Sequence, residues 1–218
     1  MRDSRVGRLR RALAQWRLPA VTTAASSLLI ASVSCNSSTA PQQKTSNDLH
    51  FLRVATGAPP LAATTASFWA KVGQGGGVDL WYRPKPGESD STKFLEFRVD
   101  GESLAQRPNG LAFAPGDSIL VTVTVPDPTQ LVVQFSPAGL KFSNEHAAKL
   151  KMFFAEVGDD INHDGNVDQE DGAAANQVSV WRQEAVGQPW YKVFSAVLQD
   201  QKEVDASLSG FTGYALAY

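Results

Sequence analysis

The chain of 218 residues holds one cysteine, Cys35, with only three histidines and two methionines. A single cysteine excludes any disulfide within the chain. His50, His146 and His163 stand far apart, with no recognisable partner motif around any of them. There is no His-Glu-x-x-His pattern, no nucleophile elbow and no phosphate-cradling glycine loop. The sequence therefore carries no positive argument for an enzyme. Carboxylates that meet only in space, as in glycoside hydrolysis, keep a hydrolase as the least favoured reading. Helical periodicity is nearly absent, with one turn expected over 144–149, and no segment repeats. After residue 34 no stretch is long and apolar enough to cross a bilayer.

What is present begins with Arg2, Arg5, Arg8, Arg10, Arg11 and Arg17, followed by an apolar run over 18–33. That run is too short and too broken by Thr and Ser for a spanning helix, and its layout is that of a secretory signal peptide over 1–34. Arg10-Arg11 hints at a twin-arginine signal, although the rest of that pattern is weak. Without residues 1–34 the chain keeps 14 basic and 21 acidic residues, a net charge of −7, and has no basic patch for nucleic acid. Ser32-Val33-Ser34-Cys35 resembles the lipobox of bacterial lipoproteins, with Ser32 where Leu is usual. The resemblance implies a lipidated Cys35, a polar tether over 35–49 and attachment to a membrane of the bacterial cell envelope. An ordinary cleaved signal and a soluble secreted product is the alternative.

From residue 50 onward short alternating runs are broken by Gly, Pro, Asp and Asn. The runs 68–72 and 78–82 flank a Gly-rich turn and predict a hairpin. Further strands are expected over 94–99, 119–125, 131–135, 149–154, 177–182, 190–197, 204–208 and 212–217. In 119–125 the residues Ile119, Val121, Val123 and Val125 alternate with Leu120, Thr122 and Thr124, the period of a half-buried strand. The fold class this predicts is all-β, an antiparallel β-sandwich over 50–218.

The segment Phe135-Ser136-Pro137-Ala138-Gly139-Leu140-Lys141-Phe142-Ser143 and the ending Gly210-Phe211-Thr212-Gly213-Tyr214-Ala215-Leu216-Ala217 resemble motifs of the ZU domain of zona-occludens proteins, netrin receptors and ankyrins. The likeness would span about 66–218 and implies a small β-sandwich used for protein contacts. Some members of that wider group cut themselves at the closing motif, where a His activates a Ser or Thr. Here Thr212 keeps the hydroxyl, but Gly210 stands in place of the His. Without the base the hydroxyl is a poor nucleophile, so Thr212 is expected to be an ordinary strand residue.

The stretch 160–171 is where the sequence speaks about chemistry. Asp160, Asn162, Asp164, Asn166 and Asp168 occupy alternate positions, Asp171 the twelfth, and Gly165 the sixth, where an EF-hand-type calcium loop turns sharply. Calcium takes six to eight oxygens. The side chains of Asp160, Asn162, Asp164, Asp168 and Asp171, with the Asn166 carbonyl, supply such a set. Val167 is expected to pin the loop to the core, and His163 to face outward. Asp171 replaces the usual Glu, which resembles the dockerin version of the loop, here in a single copy between strands. A solvated turn is the alternative, since Asp, Asn and Gly populate turns through Asx hydrogen bonds. Zinc is disfavoured by the all-oxygen set.

The function classes that survive are a lipid-anchored, calcium-stabilised module for protein interaction or envelope structure, and a carbohydrate-binding module. Its partner is an envelope protein or a polysaccharide. For the sugar reading the candidate stacking rings are Trp69, Trp81, Trp181, Trp190 and Tyr191. A row of them exposed on one sheet face favours sugar binding, and burial favours the interaction module.

Overall fold

The structure is a computed structural model that describes residues 41–218; the expected signal peptide and Cys35 lie outside the described residues. Residues 41–218 lie within one compact unit with its own core. In chain order the strands are β1 (Gln43–Lys44), β2 (Thr65–Lys71), β3 (Gly76–Trp81), β4 (Lys93–Val99), β5 (Leu104–Gln106), β6 (Ser118–Thr124), β7 (Val132–Ser136), β8 (Lys141–Phe142) and β9 (Ala148–Phe153). The helix α1 (Gln169–Ala175) follows, then β10 (Ser179–Gln183), β11 (Trp190–Lys192), β12 (Ser195–Leu198), β13 (Glu203–Leu208) and β14 (Gly213–Ala217).

The strands pair antiparallel into a seven-stranded sheet, β1-β11-β10-β14-β7-β6-β2, and a five-stranded sheet, β12-β13-β9-β4-β3, with β5 and β8 as a separate pair. The all-β class read from the alternating runs is what the structure has. In β6, Val121 and Val123 are buried and Leu120 is exposed. β9 and β13 alternate likewise, burying Leu150, Met152, Val204 and Ala206. At the centre of the core the Phe97 ring lies 4.8 Å from Phe135 and 5.6 Å from Phe211, which joins the two sheets through aromatic contacts.

Several local expectations are corrected. The hairpin expected from 68–72 and 78–82 does not form: β2 pairs with β6, and β3 pairs with β4 in the other sheet. The Gly-rich turn is a corner between sheets. Gly75 has φ +73, and a Cβ there would stand 2.3 Å from the Val99 carbonyl oxygen, so only glycine fits. The single strand expected over 190–197 is two strands in different sheets, with Val193-Phe194 as the crossover. The turn expected over 144–149 gives way to β9 from Ala148.

The tether expected over 35–49 is also corrected within the described residues. β1 pairs with β11, placing Gln43 opposite Tyr191 and Lys44 opposite Trp190. A 3-10 turn over Ser46–Asp48 follows, with the Thr45 hydroxyl donating to the Asp48 carboxylate at 2.6 Å. Leu49 is then buried against Trp181, Trp190, Ala215 and Ala217 in a second, smaller apolar cluster. The Trp181 Nε1–H donates to the Ala217 carbonyl and the Trp190 Nε1–H to Ser46 Oγ. This strap makes the sandwich begin before residue 50. Among the described residues no helix is long and apolar enough to cross a membrane.

Candidate functional site

The loop 160–171 leaves the end of β9 through a 3-10 turn, Ala155–Val157, and runs into α1. Its Asp, Asn and Gly residues fold it on themselves, because short side-chain oxygens reach the backbone N–H groups just ahead. The Asp160 carboxylate accepts from the N–H of Asp164 at 3.2 Å and of Gly165 at 3.0 Å. Asn162 Oδ1 accepts from the Asp164 N–H at 2.9 Å, and Asp164 Oδ1 from the Asn166 N–H at 2.8 Å. Gly165 has φ +92 with open space around it, so the turn needs its conformational freedom rather than its small size.

Asp171 closes the loop. It is buried, and its Oδ1 accepts from the N–H of Ile161 at 2.7 Å and of Asn162 at 3.1 Å. Its Oδ2 accepts from the Asp168 N–H at 2.9 Å, while Asp168 caps α1 through the Glu170 N–H. The two form a capping box, which is why a helix starts here in an otherwise β chain. These donors, that of Asp168 foremost, hold the Asp171 carboxyl below the usual carboxylate range. The negative field of the loop also reaches the C-terminus: the Tyr218 phenol is pushed up first by partial burial and then by Asp171 and Asp160.

One expectation about the loop is corrected. Val167 is 70% exposed, and the residue that anchors the loop in the core is Ile161, at 3%. His163 is exposed as expected, yet its Nε2 meets the Arg53 carbonyl at 3.0 Å and its φ is +59. The loop is thereby fastened to the segment that follows the strap. Asp164, Asn166 and Asp168 are exposed, whereas Asp160 and Asn162 are half-buried. Among the described residues no three Asp, Glu, His or Cys side chains are gathered closely enough to hold a metal ion. The donor chemistry of the loop, all carboxylate and amide oxygen, is of the kind a hard cation takes.

The aromatic candidates do not form a row. Trp69 is exposed on β2 at one edge of the seven-stranded sheet, and Trp81 lies in the five-stranded sheet with the Lys93 ammonium 4.9 Å above its ring. Trp181 and Trp190 are buried beneath the strap, and Tyr191 is half-buried. At the closing motif the Thr212 hydroxyl lies 3.4 Å from the Gly213 carbonyl oxygen. The Tyr214 hydroxyl donates to the Gly210 carbonyl at 2.6 Å, and burial pushes that phenol up to about 12.

Two residues that the sequence reading passed over are prominent in the structure. Glu156 is a buried carboxylate that accepts from Thr92 Oγ1 at 2.9 Å and pairs with Lys85 at 3.1 Å, tying the polar loop after β3 to the turn after β9. No local pattern marks a lone Glu between two apolar residues as buried. Phe194 is 95% exposed, and only its place at a sheet crossover explains why it escapes the core. Comparison of the chain with protein-family models, with curated proteins and with solved structures finds no match.

Proposed function

We propose that this chain is an exported, lipid-anchored β-sandwich module of the cell envelope, stabilised by calcium at the loop 160–171, with a binding or structural role. The observation that carries the calcium reading is the curl of the loop about Asp160, whose two oxygens already hold the N–H groups of Asp164 and Gly165. Each of those oxygens keeps a second lone pair for a cation. Calcium would be held by Asp160, Asn162, Asp164, Asp168 and Asp171 with the Asn166 carbonyl. For this the exposed Asp164 and Asp168 must turn inward, and calcium supplies charge neutralisation and a cross-link between the two ends of the loop. Support for an interaction role over sugar stacking comes from the aromatics, since two of the four candidate indoles are buried and Lys93 covers the Trp81 ring. The partner is an envelope protein or polysaccharide rather than nucleic acid, in keeping with the net charge of −7 after residue 34. The anchor reading is supported by the leader and Cys35.

The test is thermal unfolding in calcium and in chelator. Extracellular calcium modules bind with dissociation constants of about 10⁻⁴ to 10⁻³ M. At ten times that constant, mass action adds about 1.4 kcal/mol, a rise in midpoint of roughly 3–6 °C for a unit of this size. Magnesium should do less, because it demands a tighter octahedron, and Asp160→Ala should abolish the response. Identical melting in calcium and chelator, with no heat of binding at millimolar calcium, would show that the loop is only a turn.

A further inference from the structure

A cleft of about 280 Å³ opens where the strap, the segment that follows it, the loop 160–171 and Tyr218 meet. Leu49 and Ile161, both buried, give it an apolar lining. The His50 and Tyr218 rings stack at 5.1 Å and form one wall. The remaining polar side chains are Ser46, Arg53, Asn162 and His163, and no Asp or Glu lines the cleft. An apolar lining with a few polar groups at fixed places is the usual make-up of a small-ligand site, and the volume is at the small end of such sites. It has room for one sugar ring rather than for a chain of them.

The acceptors around this cleft are taken and the donors are free. The Arg53 carbonyl meets His163 Nε2 at 3.0 Å, and the His50 and Tyr218 carbonyls accept each other's N–H. Asn162 Oδ1 accepts from the Asp164 N–H, which leaves the two amide protons of Asn162 to donate. Ser46 Oγ accepts from the Trp190 indole, which leaves its own proton to donate. Among the described residues the Arg53 guanidinium and the Tyr218 hydroxyl have no hydrogen-bond or ion-pair partner within the protein. The nearby carboxylates are engaged elsewhere. Asp127 feels the Arg53 charge, but its Oδ1 is held by the Thr129 N–H and hydroxyl. Asp160 and Asp171 accept from backbone N–H groups of their own loop. A free guanidinium among neutral donors suits a ligand rich in acceptors that carries a carboxylate. An amine finds no acceptor here. The net charge of −7 after residue 34 does not oppose such a ligand strongly, because charges beyond about 8 Å are screened at physiological salt.

We propose that this cleft binds a hexuronate residue, with its carboxylate on Arg53, its hydroxyls on Ser46, Asn162 and Tyr218, and its apolar ring face against Leu49 and Ile161. The site goes beyond the calcium and anchor readings and needs neither, so the measurements are made in chelator. The full chain is titrated by ligand-observed NMR with glucuronate and galacturonate, with glucose as the neutral ring and acetate as the bare carboxylate. At least one uronate should bind about tenfold more tightly than glucose or acetate. Arg53→Ala should weaken that uronate about tenfold, the loss of one charge-assisted hydrogen-bonded pair, and leave glucose unchanged. Arg53→Lys should retain part of the preference. Arg53 is exposed, so the variants should keep the urea midpoint of the parent. Tyr218→Phe, which keeps the stacked ring and removes one donor, should weaken the uronate less than Arg53→Ala does. No uronate binding by the parent, acetate or glucose binding as tightly as the uronates, or an unchanged Arg53→Ala overturns the proposal. So does uronate binding that appears only when calcium is added, which would place the carboxylate on the ion instead of Arg53. A heat of calcium binding without uronate binding would keep the calcium reading and remove this one, and uronate binding without calcium heat would do the reverse.

Discussion

Asp171 shows how much a single carboxylate does in this chain. One side chain receives three backbone N–H groups from both ends of a loop and starts the one α-helix of the described residues. Those donors favour the ionised form, so the folded carboxyl titrates below its unfolded value. The stability this gives is fully present above the ordinary carboxylate range and is lost as pH falls through the lowered value. Asp171→Asn offers an amide that can accept but also brings two donors towards N–H groups. The variant should be less stable at neutral pH and should lose less on acidification than the parent, as read from urea midpoints across the acid range. Parallel pH profiles would show that the charge of Asp171 is not what the loop selects. The carboxylates and amides of this loop were legible because they sit at fixed local spacing. That Ile161 rather than Val167 anchors it was not, since both are apolar and only the path of the chain decides which one turns inward.

At the scale of elements, the alternation in 119–125 was legible because a period of two is a local property of a strand. Which sheet a strand joins is not local. The runs flanking the Gly-rich turn have the pattern of a hairpin, yet they part at Gly75 because each finds its partner elsewhere, β2 at β6 and β3 at β4. The run 190–197 divides for the same reason. The strap was hidden in another way: Gln42 to Asp48 is polar enough to pass for a tether, and the indoles it covers lie about 140 residues downstream. Its β1 also shields β11, which would otherwise be an open edge. Leu49 is the apolar pin of this element, and truncation of a buried leucine costs about 2–5 kcal/mol. Because the cluster under the strap is small, Leu49→Ala should cost about 2 kcal/mol in urea unfolding and raise acrylamide quenching of tryptophan emission as Trp181 and Trp190 open to water. Unchanged quenching and stability would mean that the strap contributes nothing to the fold in solution.

For the whole molecule the question is whether the two sheets unfold together. Phe97 comes from the five-stranded sheet, and its ring meets Phe135 of the seven-stranded sheet, Phe142 of the small pair β5–β8, Phe211 ahead of β14 and Phe68 of β2. All of these but Phe68 are buried, and the cluster is continuous with the valines and leucines of both inner faces. A core shared in this way leaves neither sheet an apolar face it can bury alone, so the unit should unfold in one transition. Phe97→Ala removes the ring at the junction and should cost about 3–5 kcal/mol, a large part of the 5–15 kcal/mol typical of a domain. The loss should fall equally on both sheets. Tryptophan emission is weighted towards the seven-stranded sheet, where Trp69, Trp181 and Trp190 lie, whereas far-ultraviolet circular dichroism reports both sheets. In the parent and in Phe97→Ala the two signals should give coincident denaturation curves, displaced to lower urea in the variant. Curves that separate, with the emission midpoint unmoved by the substitution, would mean that the seven-stranded sheet and its strap hold together without the other, and that the shared aromatic centre does not couple them.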